Sequence, residues 1–152
     1  MKNYKHVLVA VELIGVNDAE LIKRADFMAK EFKTNVVLVH AIEHIGSYSS
    51  YGMGMGFEIE KALIDSATAE MRKLGKHLDI PEHKQLVKVG PAKFVILEEA
   101  EKLKADLIIV GSHGRHGLQI LFAYSDEIDQ SFRFKPINDS SPNRSVIPVQ
   151  ID

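Results

Sequence analysis

The sequence predicts an α/β protein built on a parallel β-sheet. Short apolar runs rich in β-branched residues recur along the chain, and amphipathic stretches with helical spacing lie between them. Apolar runs without polar alternation are typical of strands that are covered on both faces, as in a parallel sheet. Four predicted strands, alternating with three helices and joined mostly by short turns, predict layered α/β architecture with right-handed crossovers.

The first half of the chain supplies two strands and a helix. Residues 7–11 form the first apolar run, and Glu12 stands at its carboxyl end. A helix is predicted from Asn17 or Asp18, either of which is a suitable N-cap, to about Phe32. Residues 36–39 form the second buried strand and are followed by His40 and Ala41.

Residues 43–56 show no regular pattern, because glycines alternate there with tyrosines and methionines. A loop of this length is usually a lid, a binding loop or a disordered segment. Contact with a partner or ligand, and a connector without function, are both open for it. A long amphipathic helix is then predicted over residues 58–78, with Ile59, Ala67 and Met71 on its apolar stripe.

The third strand, residues 85–89, alternates enough to predict an edge position or one exposed face. A helix follows from Ala92 to about Leu103, and its cluster of Glu98, Glu99 and Glu101 is predicted to be mostly solvated. Residues 107–110 form the fourth strand, which opens into a loop punctuated by three glycines.

The last thirty residues are less regular. A short helix is predicted to begin at Ser125 and to end before Pro136. Residues 135–144 carry turn-forming side chains throughout. Residues 145–151 resemble a final strand in which Pro148 cannot donate a ladder hydrogen bond, so an edge or irregular position is expected.

Composition indicates one soluble domain over residues 1–152. The chain is 45% hydrophobic and 26% charged, with a net charge of −2 and no cysteine. This charge does not favour nucleic acid or an anionic membrane, and no apolar run approaches the ~20 residues that span a bilayer. The absence of cysteine is compatible with a reducing cytoplasm, and the polar amino terminus is a poor signal peptide.

Several familiar chemical motifs are absent. The first strand is not followed by Gly-x-Gly-x-x-Gly, and no Gly-Lys-Ser/Thr occurs, so dinucleotide and Walker-type phosphate loops are not predicted. His113 and His116 have metal-ligand spacing, but a catalytic site usually supplies three protein ligands, so no metal site is predicted. We also predict no catalytic residue. His40 is interpreted as a hydrogen-bonded residue at the end of the sheet and not as a catalytic base.

Glu12, Ala41 and Gly111 each follow a predicted strand. In open α/β sheets, ligands bind outside the carboxyl ends of the strands, near the point where strand order reverses. These residues are therefore candidates for a ligand site, although a merely solvated Glu12 is an open alternative.

Residues 4–12, 37–41 and 105–114 together resemble the universal stress protein family. The resemblance extends over about residues 2–125, with a weak match at the final strand, and residues 126–144 diverge from the pattern. It implies an adenine nucleotide alpha hydrolase-like fold, with five parallel strands in the order 3-2-1-4-5 and helices on both faces. It also implies a cytoplasmic homodimer that acts in stress response or signalling without being an enzyme.

Nucleotide-binding members of this family carry Gly-x2-Gly-x9-Gly-Ser/Thr around the ATP phosphates, and an acid after the first strand that contacts the ribose. Gly111 and Gly114 match this motif, whereas Tyr124 replaces the third glycine and Glu12 replaces the usual aspartate. The resemblance implies a site for ATP, with Mg²⁺, or for AMP. Its residues would be Ala10, Val11, Glu12, Ala41, Gly111, His113, Gly114, Arg115 and Ser125.

Tyr124 predicts that this pocket is weakened. A non-glycine residue at φ > 0 costs roughly 1–2 kcal/mol, and Asp126 and Glu127 would repel phosphate from a helix start. Arg115 offers one compensating cation, and adenosine or AMP would lose fewer contacts than ATP. Two alternatives are an ATP-hydrolysing or nucleotidyl-transfer enzyme on the same scaffold and a nucleotide-free module that binds a partner.

Overall fold

Strands and helices alternate along the chain in the computed structural model of the protein. The structure describes residues 4–13, 23, 26–27, 30, 34–44, 53–111, 132–133 and 146–151. The strands are β1 (His6–Ala10), β2 (Asn35–Ile42), β3 (Gln85–Val89), β4 (Leu107–Gly111), β5 (Phe132–Arg133) and β6 (Val146–Ile151). The helices are α1 (Met53–Leu78) and α2 (Ala92–Leu103), with a short 3-10 helix at Glu82–Lys84. Lys23, Asp26, Phe27 and Lys30 are also helical, where the first helix is predicted.

The strands form one sheet in the order β3-β2-β1-β4-β6-β5. The pairs β1–β2, β2–β3 and β1–β4 are all parallel, which confirms the predicted order 3-2-1-4. β3 lies at one edge, as its partial alternation predicted, and its residues are half-buried or exposed.

The prediction of a fifth parallel strand is wrong. β6 does lie beside β4, but it runs antiparallel to it, and β5 pairs antiparallel with β6. Between β5 and β6 the sequence is rich in turn-forming residues over 135–144. Consecutive antiparallel strands such as β5 and β6 can be joined by a turn, whereas parallel neighbours need a long crossover connection. On one side of β6, Pro148 is opposite Ile109 of β4. On its other side, β5 pairs only with Gln150 and Ile151, so within the described residues Pro148 is at an open edge there.

Each face of the sheet packs against one described helix, which confirms helices on both faces. Val7, Val9, Val36 and Leu38 face α1, where they meet Met71. The intervening residues point to the other face, where Leu8, Val37, Val39 and Ile108 pack with Val95 of α2. Successive strand residues point to opposite faces, so the central strands are apolar throughout.

Helix α1 begins at Met53, earlier than predicted, so residues 53–56 are helical and are not part of an irregular loop. Extending an existing helix adds one backbone hydrogen bond per residue, which offsets the poor helix propensity of glycine. At 26 residues the helix is about 39 Å long, whereas the eight residues of β2 span only about 26 Å. The first turns of α1 therefore extend past the sheet, and Ile59, predicted to be on the apolar stripe, is exposed together with Met55 and Phe57.

Candidate functional site

The carboxyl ends of β1, β2 and β4 meet at one edge of the sheet because the three strands are parallel. Ala10, the last residue of β1, lies between Val39 of β2 and Val110 of β4. The chain leaves β1 toward β2 on one side and returns to β4 on the other, so strand order reverses between β1 and β4. This is the position at which open α/β sheets bind ligands.

The structure brings five of the nine predicted site residues to this edge: Ala10, Val11, Glu12, Ala41 and Gly111. Ala10 and Ala41 are half-buried on the α2 face of the sheet, and Glu12 is exposed just beyond β1. The backbone of Gly111 ends β4 opposite Val146.

Val11 contributes differently from its neighbours. Its side chain is only 6% exposed and packs into the core on the α1 face, opposite to the face on which Ala10 and Ala41 lie. Any contact of Val11 with a ligand on the α2 face is therefore expected through its backbone.

The remaining predicted residues, His113, Gly114, Arg115 and Ser125, lie outside the described residues, as does Tyr124. The phosphate half of the predicted pocket, and the proposed effect of the missing third glycine, therefore stay predictions.

Hydrogen bonds hold the chain where it leaves β1 and β2. The N–H of Val11 donates to the carbonyl of Val39 at 2.9 Å, one residue beyond the end of β1. The imidazole Nδ1 of His40 lies 2.8 Å from the carbonyl oxygen of Val11, which confirms the interpretation of His40 as a hydrogen-bonded residue at the sheet end. The N–H of Gly90 donates to the carbonyl of Ile42 at 2.8 Å, so the turn after β3 ties down the end of β2.

Two polar contacts were not predicted from the sequence. His44 Nδ1 lies 2.7 Å from Glu60 Oε2, which joins the segment after β2 to α1 near the carboxyl edge. At the opposite edge, the carboxylate of Asp106 accepts hydrogen bonds from the N–H groups of Lys5 and His6 at 2.8 and 3.0 Å. The partners in each contact are distant in sequence, so no local pattern indicates either contact.

The prediction that the acidic cluster of α2 is mostly solvated holds for two of its three glutamates, whereas Glu99 is buried. Glu99 is 7% exposed, and its carboxylate lies 3.0 Å from Lys102 Nζ and 3.9 Å from Lys88 Nζ of β3. Glu99 is four residues after the buried Val95, so the helical turn that buries Val95 against the sheet also buries Glu99. Glu98 and Glu101 are exposed as expected.

A cleft of about 250 Å³ lies between α1 and the start of β3. It is lined by Thr68, Met71, Arg72, Glu82, Gln85 and Val87. None of these residues belongs to the carboxyl edge of β1, β2 or β4, so the cleft is separate from the candidate site.

Among the residues that the structure describes, no three histidine or acidic side chains lie close enough together to hold a metal ion. The described helices likewise include none that is long and apolar enough to cross a membrane. Both predicted histidines of the glycine loop lie outside the residues to which the first statement applies.

Comparison with known proteins identifies the family of the chain. Residues 3–125 match the universal stress protein family. The chain is 44% identical over 122 residues to universal stress protein A homolog 2 of Coxiella burnetii, an alignment that covers 80% of this chain and 84% of the relative. It is 32% identical over 121 residues to universal stress protein A homolog 1 of the same organism, covering 78% and 83%.

Similarity to solved structures supports the fold. The chain superposes on the universal stress protein UspA from Lactobacillus plantarum with a TM-score of 0.61 and 19% identity, covering 75% of this chain and 81% of that one. The fold, the extent of the family match and the identity to the curated relatives lead to one conclusion. The chain belongs to the universal stress protein family.

Proposed function

We propose that this chain is a non-enzymatic signalling protein of the cytoplasm that acts as a homodimer and binds an adenine nucleotide weakly. The observation that carries the binding proposal is the arrangement at the carboxyl edge, where Ala10, Glu12, Ala41 and Gly111 surround the reversal in strand order. Family membership supports the proposal, since the matched region contains these four residues.

The described residues suit the adenine and ribose of such a ligand. Ala10 and Ala41 present small side chains on the same face of neighbouring strands, where a flat base would fit against the backbone. Glu12 is exposed next to them, and a carboxylate accepts hydrogen bonds from ribose hydroxyls. One charge-assisted hydrogen bond contributes about 1.5–3 kcal/mol, or roughly tenfold or more in affinity.

The phosphate end of the ligand depends on residues that only the sequence describes. Gly111 and Gly114, with Arg115, are proposed to contact phosphate, His113 to lie in the same loop, and Ser125 to follow the replaced glycine. Because Tyr124 and the acids after it disfavour phosphate, we expect AMP or adenosine to bind at least as well as ATP with Mg²⁺.

Thermal unfolding with added ligand tests this proposal. The protein is heated alone and with millimolar Mg-ATP, AMP or adenosine. A ligand present at 100 times its dissociation constant stabilises the folded state by about 2.7 kcal/mol, so a clear rise in Tm is expected with AMP and adenosine. No shift with any of the three would contradict nucleotide binding and would favour a nucleotide-free module that binds a partner.

Matched variants locate the site and test the weakened phosphate end. Glu12→Gln removes the carboxylate at the site and is expected to reduce the shift, whereas Glu101→Gln removes an exposed carboxylate near the far end of α2 and should leave it unchanged. Tyr124→Gly restores the family's third glycine and should raise ATP affinity about tenfold or more. An unchanged affinity would show that Tyr124 does not limit binding.

The same samples distinguish binding from catalysis and report the assembly. Accumulation of ADP or phosphate during incubation with Mg-ATP would favour the ATP-hydrolysing alternative, whereas ATP that stays intact supports the non-enzymatic proposal. Sedimentation equilibrium should give twice the chain mass if the protein is a homodimer.

A further inference from the structure

The hydrogen bond between His40 and Val11 lies at the base of the candidate site. β1 ends at Ala10, and the N–H of Val11 makes a further main-chain hydrogen bond to β2. The next rung of a regular parallel ladder would join the carbonyl of Val11 to the N–H of Ala41. The imidazole of His40 reaches this carbonyl, at 2.8 Å, from the neighbouring strand.

The partner determines which ring nitrogen carries hydrogen. A carbonyl oxygen can only accept a hydrogen bond, so Nδ1 of His40 must donate. The donor comes from a half-buried side chain of β2, a strand paired on both sides by β1 and β3. The Nδ1 donor of His40 is therefore held in place by a strand in the interior of the sheet.

This bond fixes the peptide group from which Glu12 begins. The carbonyl of Val11 and the N–H of Glu12 belong to the same planar unit, so holding the oxygen also sets the orientation of the Glu12 nitrogen and α-carbon. Val11 is anchored on both sides of its α-carbon, since its N–H bonds to Val39 and its carbonyl to His40.

We propose that His40 is a positioning residue that directs the Glu12 carboxylate toward the ribose hydroxyls of a bound adenine nucleoside. This inference rests on the proposed function, because it assigns His40 a role at the same site. Loss of the imidazole donor frees the Val11–Glu12 peptide to rotate, which changes the direction in which the Glu12 side chain leaves the backbone. The expected result is a loss of ribose recognition while contacts to the base beside Ala41 remain.

Two substitutions separate the donor from the bulk of the ring. The amide nitrogen of asparagine occupies nearly the position of histidine Nδ1, so His40→Asn keeps a donor for the Val11 carbonyl. His40→Leu fills similar space without a donor. Circular dichroism and thermal unfolding establish that each variant is folded, and His40→Gln, whose amide extends beyond the Nδ1 position, replaces the leucine variant if that one does not fold.

Calorimetric titration with adenosine and with 2′,3′-dideoxyadenosine provides the test. We expect wild type and His40→Asn to prefer adenosine about tenfold or more, because only adenosine offers hydroxyls to Glu12. His40→Leu should bind both nucleosides with nearly equal affinity, close to that of wild type for the dideoxy form. Adding Glu12→Gln should remove the preference in wild type and have little further effect in His40→Leu.

The outcomes distinguish this inference from the proposed function. If His40→Leu or His40→Gln keeps the wild-type preference for adenosine, the role of His40 is overturned although nucleotide binding stands. If wild type binds neither nucleoside, the proposed function fails and the positioning role fails with it. In the wild-type protein, ¹⁵N NMR of the neutral imidazole should show hydrogen on Nδ1, and hydrogen on Nε2 alone would overturn the inference independently of any ligand.

Discussion

Lys102 of α2 shows how one residue sets the electrostatics of its surroundings. Its ammonium lies 2.6 Å from Glu98 and 3.0 Å from Glu99 on the same helix. The hydrogen bond and the charge of Lys102 hold the pKa of Glu98 below its ordinary value. Hydrogen bonds from Lys102 to Glu98 and then Glu99 raise the pKa of Lys102 above its ordinary value.

We expect Lys102→Met to raise the pKa of Glu98 toward its ordinary value, because the substitution removes both the donor and the positive charge. The ¹³C chemical shift of the Glu98 side-chain carboxyl, followed by NMR during an acid titration, measures this pKa directly. Lys76→Met, at an exposed lysine of α1, is the control and should leave the titration of Glu98 unchanged. An unaltered Glu98 titration in Lys102→Met would contradict the assigned cause.

The direction of each shift also predicts how the pair affects stability. When folding lowers the pKa of a carboxyl group, it stabilises the protein at pH values above the unfolded-state pKa. This stabilisation is lost as the pH falls through the folded-state pKa. When folding raises the pKa of a lysine, it stabilises the protein at pH values below the unfolded-state pKa. This stabilisation is lost as the pH rises through the folded-state pKa. The stability difference between wild type and Lys102→Met should therefore shrink at both the acidic and the alkaline ends, although it is small for exposed groups.

At the scale of elements, helix α1 contains a glycine that its packing requires. Gly75 is buried where the side chain of Gln85, at the start of β3, lies against the helix. A β-carbon at residue 75 would overlap the amide of Gln85. That amide donates a hydrogen bond of 2.7 Å from Nε2 to the carbonyl of Ile80 and so joins the end of α1 to β3.

We expect Gly75→Ala to lower the free energy of unfolding by about 1 kcal/mol. Helix propensity alone predicts a gain of about 1 kcal/mol, but displacement of Gln85 leaves a buried carbonyl unpaired at a cost of about 1–3 kcal/mol. In a Gln85→Ala background the same change should be stabilising, because the obstructing amide is gone. Urea unfolding of the four proteins in this cycle measures the effect, and a change of the same sign in both backgrounds would contradict the packing argument.

For the whole molecule, the last strand closes one side of the sheet. β6 pairs with all five residues of β4, from Leu107 opposite Gln150 to Gly111 opposite Val146. The β4 side chains from Leu107 to Val110 are among the most buried in the described core. Without β6, the backbone groups of β4 on that side would lose their partners and β4 would become an exposed edge.

We expect removal of residues 146–152 to lower the free energy of unfolding by roughly 3–5 kcal/mol, at about 1 kcal/mol for each of about five lost hydrogen bonds. An unpaired, apolar edge also promotes association with other chains, so sedimentation velocity should show larger species. Removal of residue 152 alone, which lies outside β6, is the control and should change neither property. Wild-type stability in the longer truncation would show that β6 is not needed to complete the sheet.

Much of the fold and part of the site were predictable because local patterns record local burial. Continuous apolar runs identified β1, β2 and β4, since both faces of those strands are covered, whereas partial alternation identified β3 as a strand at an edge of the sheet. Their order and the placement of Ala10, Glu12, Ala41 and Gly111 at one edge followed from the family resemblance together with the rule that parallel strands end on the same side. The interaction of His40 at the sheet end was also anticipated from its position.

Only the tertiary structure decided the features that depend on neighbours distant in sequence. The direction of β6 depends on which strand it meets and how the chain returns, and an apolar run reads the same in a parallel or an antiparallel pair. Glu99 is buried because Val95 packs against the sheet and Lys102 and Lys88 supply charge. The sequence by itself thus determined which segments enter the core, whereas strand direction and the pairing of buried polar groups were decided by contacts that no local pattern encodes.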